Sequence, residues 1–124
     1  MNLLSVMLGG ALGAGTRHLV GRLMLSLLGA AFPYGTLTVN LVGGLLMGLL
    51  AGSLVRMGAN GEAWRLFLGV GILGGFTTFS SFSLDAVALA ERGAWPVAAG
   101  YVAVSVIGSI AALFGGLTLA RNWA

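Results

Sequence analysis

Residues 71 to 83 read Gly71-Ile72-Leu73-Gly74-Gly75-Phe76-Thr77-Thr78-Phe79-Ser80-Ser81-Phe82-Ser83, an apolar run that gives way to interleaved rings and hydroxyls. As a continuous helix it is poor. Paired glycines lower helix propensity, and Thr and Ser side chains offer the backbone hydrogen bonds that compete with the helical ladder. The stretch therefore predicts a helix that unwinds over the glycine pair and the hydroxyl run. Phe76, Phe79 and Phe82 are spaced by three. That spacing alone describes packing, but the hydroxyls of Thr77, Thr78, Ser80, Ser81 and Ser83 between the rings make an odd surface to turn toward lipid.

The surrounding chain places this break at membrane depth. Of 124 residues, 58% are hydrophobic and 7% charged, with mean hydropathy +1.02. A soluble domain averages about 45–50% apolar and about 25% charged, and so small a chain cannot hide the excess in its own core. Since about 20 apolar residues cross the hydrocarbon, polar punctuation divides the chain into four spans at about 3–28, 34–55, 64–90 and 96–120. The breaks carry loop chemistry: Gly29 to Pro33, Arg56 to Glu62, and a tight turn from Glu91 to Pro96. Trp64, Trp95 and Trp123 stand beside span ends, where indoles favour the headgroup level. The first apolar stretch has no basic region before it and no cleavage-site pattern, so it reads as a span rather than a removable signal. Irregular backbone within a span is tolerated only where protein buries it or a wet cavity meets it.

Charge is scarce and balanced. The six basic residues are all Arg; Glu62, Asp85 and Glu91 are the acids. Arg56, Arg65 and Arg121 fall on one side of a four-span layout and Arg17, Arg22 and Arg92 on the other. Orientation follows an excess of Lys and Arg in cytoplasmic loops. Without an excess, the layout predicts dual topology with antiparallel pairing into a two-fold homodimer. Dispersed arginines make no nucleic-acid stripe. Lacking Cys and having only His18, the chain has no thiolate or histidine metal cluster. No nucleophile, base and orienter can be assembled, so an enzyme is not expected. Gly9 and Gly13, Gly44 and Gly48, Gly48 and Gly52, and Gly71 and Gly75 have the four-residue spacing of close helix packing.

Polar residues within spans are the functional candidates. Thr36, Asn40 and Gly44 share one face of the second span, where Asn40 is either an interhelical hydrogen bond or a ligand. Tyr101, Ser105 and Ser109 form a hydroxyl ladder along the fourth. With the ring edges these are neutral donors, which suit a small anion that must also leave. Arg17, about 21 Å along the first helix by its 1.5 Å rise per residue, either snorkels to the boundary or, with His18, lines a vestibule that draws anions. Asp85 is expected to bond its helix or pair with an arginine.

The sequence resembles the Fluc fluoride channels, also called CrcB proteins. The matching segments are Gly9 to Arg17, Gly35 to Gly43 and Gly74 to Ser83, together with the Tyr101, Ser105 and Ser109 ladder. The likeness covers the four-span layout; His18, Ser81 and Asp85 depart from the usual aromatic, Thr and Glu. The resemblance implies an all-α membrane protein in which four helices, the third broken, form an antiparallel dual-topology homodimer. It also implies two fluoride pathways and passive efflux from the cytoplasm across the cell (inner) membrane. By matching position the path involves Asn40, Phe79, Phe82, Ser105 and Ser109, with Thr36, Ser80, Ser81 and Tyr101. The resemblance further implies a structural sodium ion, Na+, on main-chain carbonyls of Gly74 and Thr77 from both subunits.

Two other readings compete. A small multidrug-type exporter also has four spans, but resembles a proton exchanger working through a carboxylate in its first span, and this first span has none. A non-transporting membrane assembly protein would need the glycine spacing alone and leaves the hydroxyl ladders without a purpose.

Overall fold

A computed structural model describes residues 2–122, which are helical with short connections and no strand among them. Trp123, expected at the end of the last span, lies outside the described residues. Four helical segments are long and apolar enough to cross a membrane: Asn2–Leu28, Tyr34–Leu54, Gly58–Glu91 and Trp95–Asn122.

The first two are continuous helices, α1 (Asn2–Leu28) and α2 (Tyr34–Leu54), and the last is α6 (Trp95–Asn122). The third is composite. A 3-10 turn at Gly58–Asn60 leads into α3 (Gly61–Trp64), a π-helix (Arg65–Leu73), α4 (Gly74–Phe76) and, past a break, α5 (Ser80–Glu91). In the wider winding the Gly74 N–H reaches the Gly69 carbonyl five residues back. The turn after α5 closes as a Schellman motif: Gly93, at φ +82°, donates to Ala90 at 3.0 Å, and Ala94 donates to Leu89 at 3.0 Å. Arginines pin the connections in pairs. Arg92 donates to the Ala31 carbonyl at 3.0 Å, joining the first and third connections at one end, and Arg56 caps the Ala120 carbonyl at the other.

Main chain packs on main chain at two seams. Along α1, a Cβ on Gly9 would stand 2.6 Å from the Phe67 carbonyl oxygen, and one on Gly75 2.5 Å from that of Gly10. Along the α2–α6 seam, a Cβ on Gly44 would stand 2.7 Å from the Ser109 carbonyl oxygen, and one on Gly48 would collide with that of Leu113. Such proximity lets dispersion act between backbones where lipid removes the hydrophobic drive. The buried core is small, with Val39 and Tyr101 fully enclosed, while Leu3, Leu12, Leu19, Ile107 and Phe114 are exposed. Leucines covering the outer faces are at home in a bilayer and would aggregate in water.

The break corrects the sequence expectation. Gly74 and Gly75 are helical, and the chain leaves the helix at Thr77 (φ −86°, ψ 159°) to resume at Ser80. Packing against Gly10 accounts for Gly75; the rupture belongs to the hydroxyl residues.

Candidate functional site

The break is held open by side chains that take its backbone donors. In an unbroken helix the Thr78 N–H would bond the Gly74 carbonyl, four residues back. Here it donates to Asn40 Oδ1 at 2.9 Å, while Asn40 Nδ2 donates to the Thr78 carbonyl at 3.0 Å. The amide of α2 thus grips both groups of one peptide residue. The Ser81 N–H, which would bond the Thr77 carbonyl, donates instead to Thr78 Oγ1 at 3.1 Å, just ahead of α5. At Gly75 the missing helical donor, Phe79 N–H, is replaced by Arg17 Nε, 3.2 Å from the carbonyl oxygen. Arg17 therefore does not snorkel; it reaches inward to the break.

Beside this clamp runs an open groove of about 390 Å³. Asn40 and Gly44 of α2, Phe79 and Phe82 at the break, and Ser105 and Ser109 of α6 line it. The two rings lie 5.6 Å apart, Phe79 exposed and Phe82 buried. Ser105 Oγ is buried with no hydrogen-bond partner, so it does not bond back along its helix, and its hydroxyl remains available toward the groove it lines. An unpartnered buried hydroxyl costs stability and usually has a reason to be kept.

Five residues expected on the fluoride path thus meet in one groove, Thr77 of the expected sodium site lines it too, and the other path residues lie elsewhere. Tyr101 is not in it: the ring is fully buried against Phe82 (5.2 Å between centroids) and Phe32 (5.4 Å, edge-on), and its hydroxyl donates to Asp85 at 3.2 Å. Asp85 accordingly accepts from a tyrosine, where a bond to its own helix or an arginine was expected. Ser80 is exposed, its hydroxyl 3.4 Å from Thr78 Oγ1. Thr36 and Ser81 line a second cavity, of about 240 Å³, together with Arg17, His18 and Arg22. Thr78 lines both cavities. Sequence reasoning did not name Thr78 as a site residue. The signal was a lone amide in one span facing a run of hydroxyls in another, but their pairing needs three-dimensional register.

A family model described as CrcB-like protein, Camphor Resistance (CrcB), matches residues 4–117. The chain belongs to the CrcB-like family. This CrcB-like chain is 56% identical over 121 residues to a protein of Sphingopyxis alaskensis, covering 98% of this chain and 96% of the relative. It is 54% identical over 121 residues to one of Mesorhizobium japonicum (98% and 97%) and 52% identical over 122 residues to one of Agrobacterium fabrum (98% of each). All three relatives bear the name fluoride-specific ion channel FluC. The CrcB-like chain is thus a multi-pass membrane protein of a channel family rather than an enzyme.

Proposed function

We infer that the chain conducts fluoride passively across the cell (inner) membrane, lowering cytoplasmic fluoride. The observation that carries the reading is the Asn40–Thr78 clamp beside a groove whose polar lining is neutral. Fluoride is small, strongly basic and strongly hydrated. A conduit for it needs hydrogen-bond donors and positive ring edges to replace water, without a full charge that would hold the ion. Asn40 keeps a second amide N–H beyond the one given to Thr78; with Ser105 and Ser109 it offers such donors, and Phe79 and Phe82 offer edges. Chloride, larger and a weaker acceptor, gains less from them.

The functional unit of this reading is an antiparallel homodimer with two pathways, supported by the arginine balance and by a groove left open in one chain. The same reading assigns Na+ to the dimer axis. Among the described residues no group of three or more His, Asp or Glu side chains could hold a metal. Gly74 and Thr77, however, each have a carbonyl whose helical donor is diverted to a side chain. Two such pairs make a hard-oxygen set suited to an alkali cation. The ion would supply a fixed positive charge tying the two breaks together.

The deciding experiment is fluoride-electrode efflux from liposomes containing purified protein. Rapid fluoride release with chloride retained is expected. Efflux no faster than from empty vesicles would overturn the reading.

A further inference from the structure

The break in the third span turns on one torsion. Thr77 keeps the helical bond of its own N–H to the Leu73 carbonyl at 3.0 Å and a φ of −86°, while its ψ of 159° turns the peptide that follows nearly half a revolution from the helical setting. That peptide joins the Thr77 carbonyl to the Thr78 N–H. A trans peptide is planar, with C=O and N–H pointing in opposite directions, so whatever grips the N–H also aims the carbonyl. The grip is Asn40 Oδ1, 2.9 Å from the Thr78 nitrogen. The same bond withdraws from the Gly74 carbonyl the donor that a helix would supply. One hydrogen bond to α2 therefore acts on both carbonyls assigned to Na+: it frees that of Gly74 and aims that of Thr77.

A second contact with α2 holds the same residue by its side chain. The Thr77 hydroxyl donates to the Leu73 carbonyl at 3.0 Å, which together with the stiffness of a β-branched side chain settles χ1. The methyl is thereby pressed against Gly43, one turn on from Asn40, where a Cβ would collide with Thr77 Cγ2. Phe76 Cδ2, 3.5 Å from the same point, is in ordinary contact. A side chain at position 43 is admitted only by giving up the Thr77 hydroxyl bond or by moving α2, which carries Asn40 away from Thr78. Close helix packing alone does not single out this methyl. At Gly44 and Gly48 the neighbour is a carbonyl oxygen of α6, whereas at Gly43 it is the residue that bears the turned peptide.

We propose that Asn40 and Gly43 are positioning residues of the cation site, which set the Gly74 and Thr77 carbonyls without touching the ion. Their role rests on the Na+ reading above and not on fluoride passage. It gives the two ends of the Asn40 amide separate duties, the oxygen holding the break and the second N–H of the nitrogen left for the groove it lines. Cation site and anion path then share one side chain.

Na+ titrated calorimetrically into detergent-purified protein exchanged into choline chloride, at constant ionic strength, reads the site without reference to transport. Saturable binding is expected in the wild type, accompanied by a rise in melting temperature. Asn40→Ala and Gly43→Ala should each weaken binding by about tenfold or more, the range for residues that orient a metal ligand. Thr77→Ser removes the methyl and keeps the hydroxyl and the carbonyl, so in that background Gly43→Ala should weaken binding by less than about threefold. Rescue by a shorter partner belongs to a socket; a merely loosened fold lowers the melting temperature at every Na+ concentration without moving the dissociation constant. Where Asn40→Ala cannot be recovered folded, the Gly43 and Thr77 pair decides, and recovery of folded Gly43→Ala only in the Thr77→Ser background counts for the socket. Equal loss in both backgrounds, of binding or of folded protein, would overturn the role of Gly43. Wild-type Na+ affinity in Asn40→Ala would overturn that of Asn40. A wild type that binds no Na+ would instead remove the cation reading itself.

Discussion

Two cavities meet at Thr78, and they are built from opposite chemistry. The larger, between α2, the break and α6, offers an amide, hydroxyls and ring edges, without a charged side chain. The smaller, between α1, α2 and α5, offers two guanidiniums and an imidazole. Charge attracts an anion over distance but also traps it, whereas neutral donors act at contact and release. On the proposed channel reading, the chain separates collection from transit and puts one residue at the partition. Asn40 connects the two, since its grip on Thr78 shapes that wall while its own side chain faces the groove.

The strongest way to break this division is to put a charge on the neutral side. Asn40→Asp preserves shape, but the carboxylate cannot donate to the Thr78 carbonyl and brings a negative charge to the proposed anion path. Losing the donor costs on the order of 1–3 kcal/mol and repulsion adds to it, so fluoride efflux should fall by about a hundredfold or more. Efflux near the wild-type rate would show that ions do not pass Asn40.

The next effect is steric. Gly44→Ala would set a Cβ 2.7 Å from the Ser109 carbonyl oxygen and displace α6 from the groove, whereas Gly15→Ala meets nothing within 4 Å. Overpacking costs about 1–3 kcal/mol, so Gly44→Ala should lower thermal stability in detergent and slow efflux about tenfold. Gly15→Ala should be neutral or gain up to about 1 kcal/mol from helix propensity. Equal melting temperatures for the two variants would remove the close seam.

Much of this arrangement was legible in the sequence. Four spans follow from apolar length, and a discontinuity in the third follows from hydroxyls crowded after two glycines. The position of the break was not, because the glycine pair announces two things at once. Poor helix propensity and close approach use the same residue, and only the contact of Gly75 with Gly10 shows that approach governs here. The surroundings of Tyr101 were hidden for a similar reason. Spacing puts it in line with Ser105 and Ser109, but its ring volume fills the space between Phe32 and Phe82, turning the hydroxyl to Asp85. Helical periodicity reports a face, and ring size decides how far along that face the cavity extends.

The two phenylalanines of the groove separate contact from support. Phe79 is 77% exposed and Phe82 7%. Phe79→Ile should slow efflux with little change in stability. Phe82→Ile should do both, costing about 1–3 kcal/mol through lost packing against Tyr101. Matching losses of stability in both variants would make Phe79 a packing residue too.

The smallest expected change tests the neutral side most selectively, because its two readouts move in opposite directions. Ser105 Oγ is buried without a partner, so the folded chain carries a desolvated hydroxyl that nothing in the protein compensates. Ser105→Ala removes that hydroxyl at almost constant shape. Relief of an unsatisfied buried group is on the order of 1 kcal/mol, which predicts a melting temperature in detergent raised by a few degrees. If the hydroxyl serves a passing anion, the same variant must conduct more slowly, by several-fold for a lost neutral hydrogen bond of about 1 kcal/mol. General damage to the fold lowers stability and flux together and cannot produce this pair of signs. A more stable variant with undiminished efflux would take Ser105 off the path, and a less stable one would mean that its hydroxyl has a structural partner in the dimer.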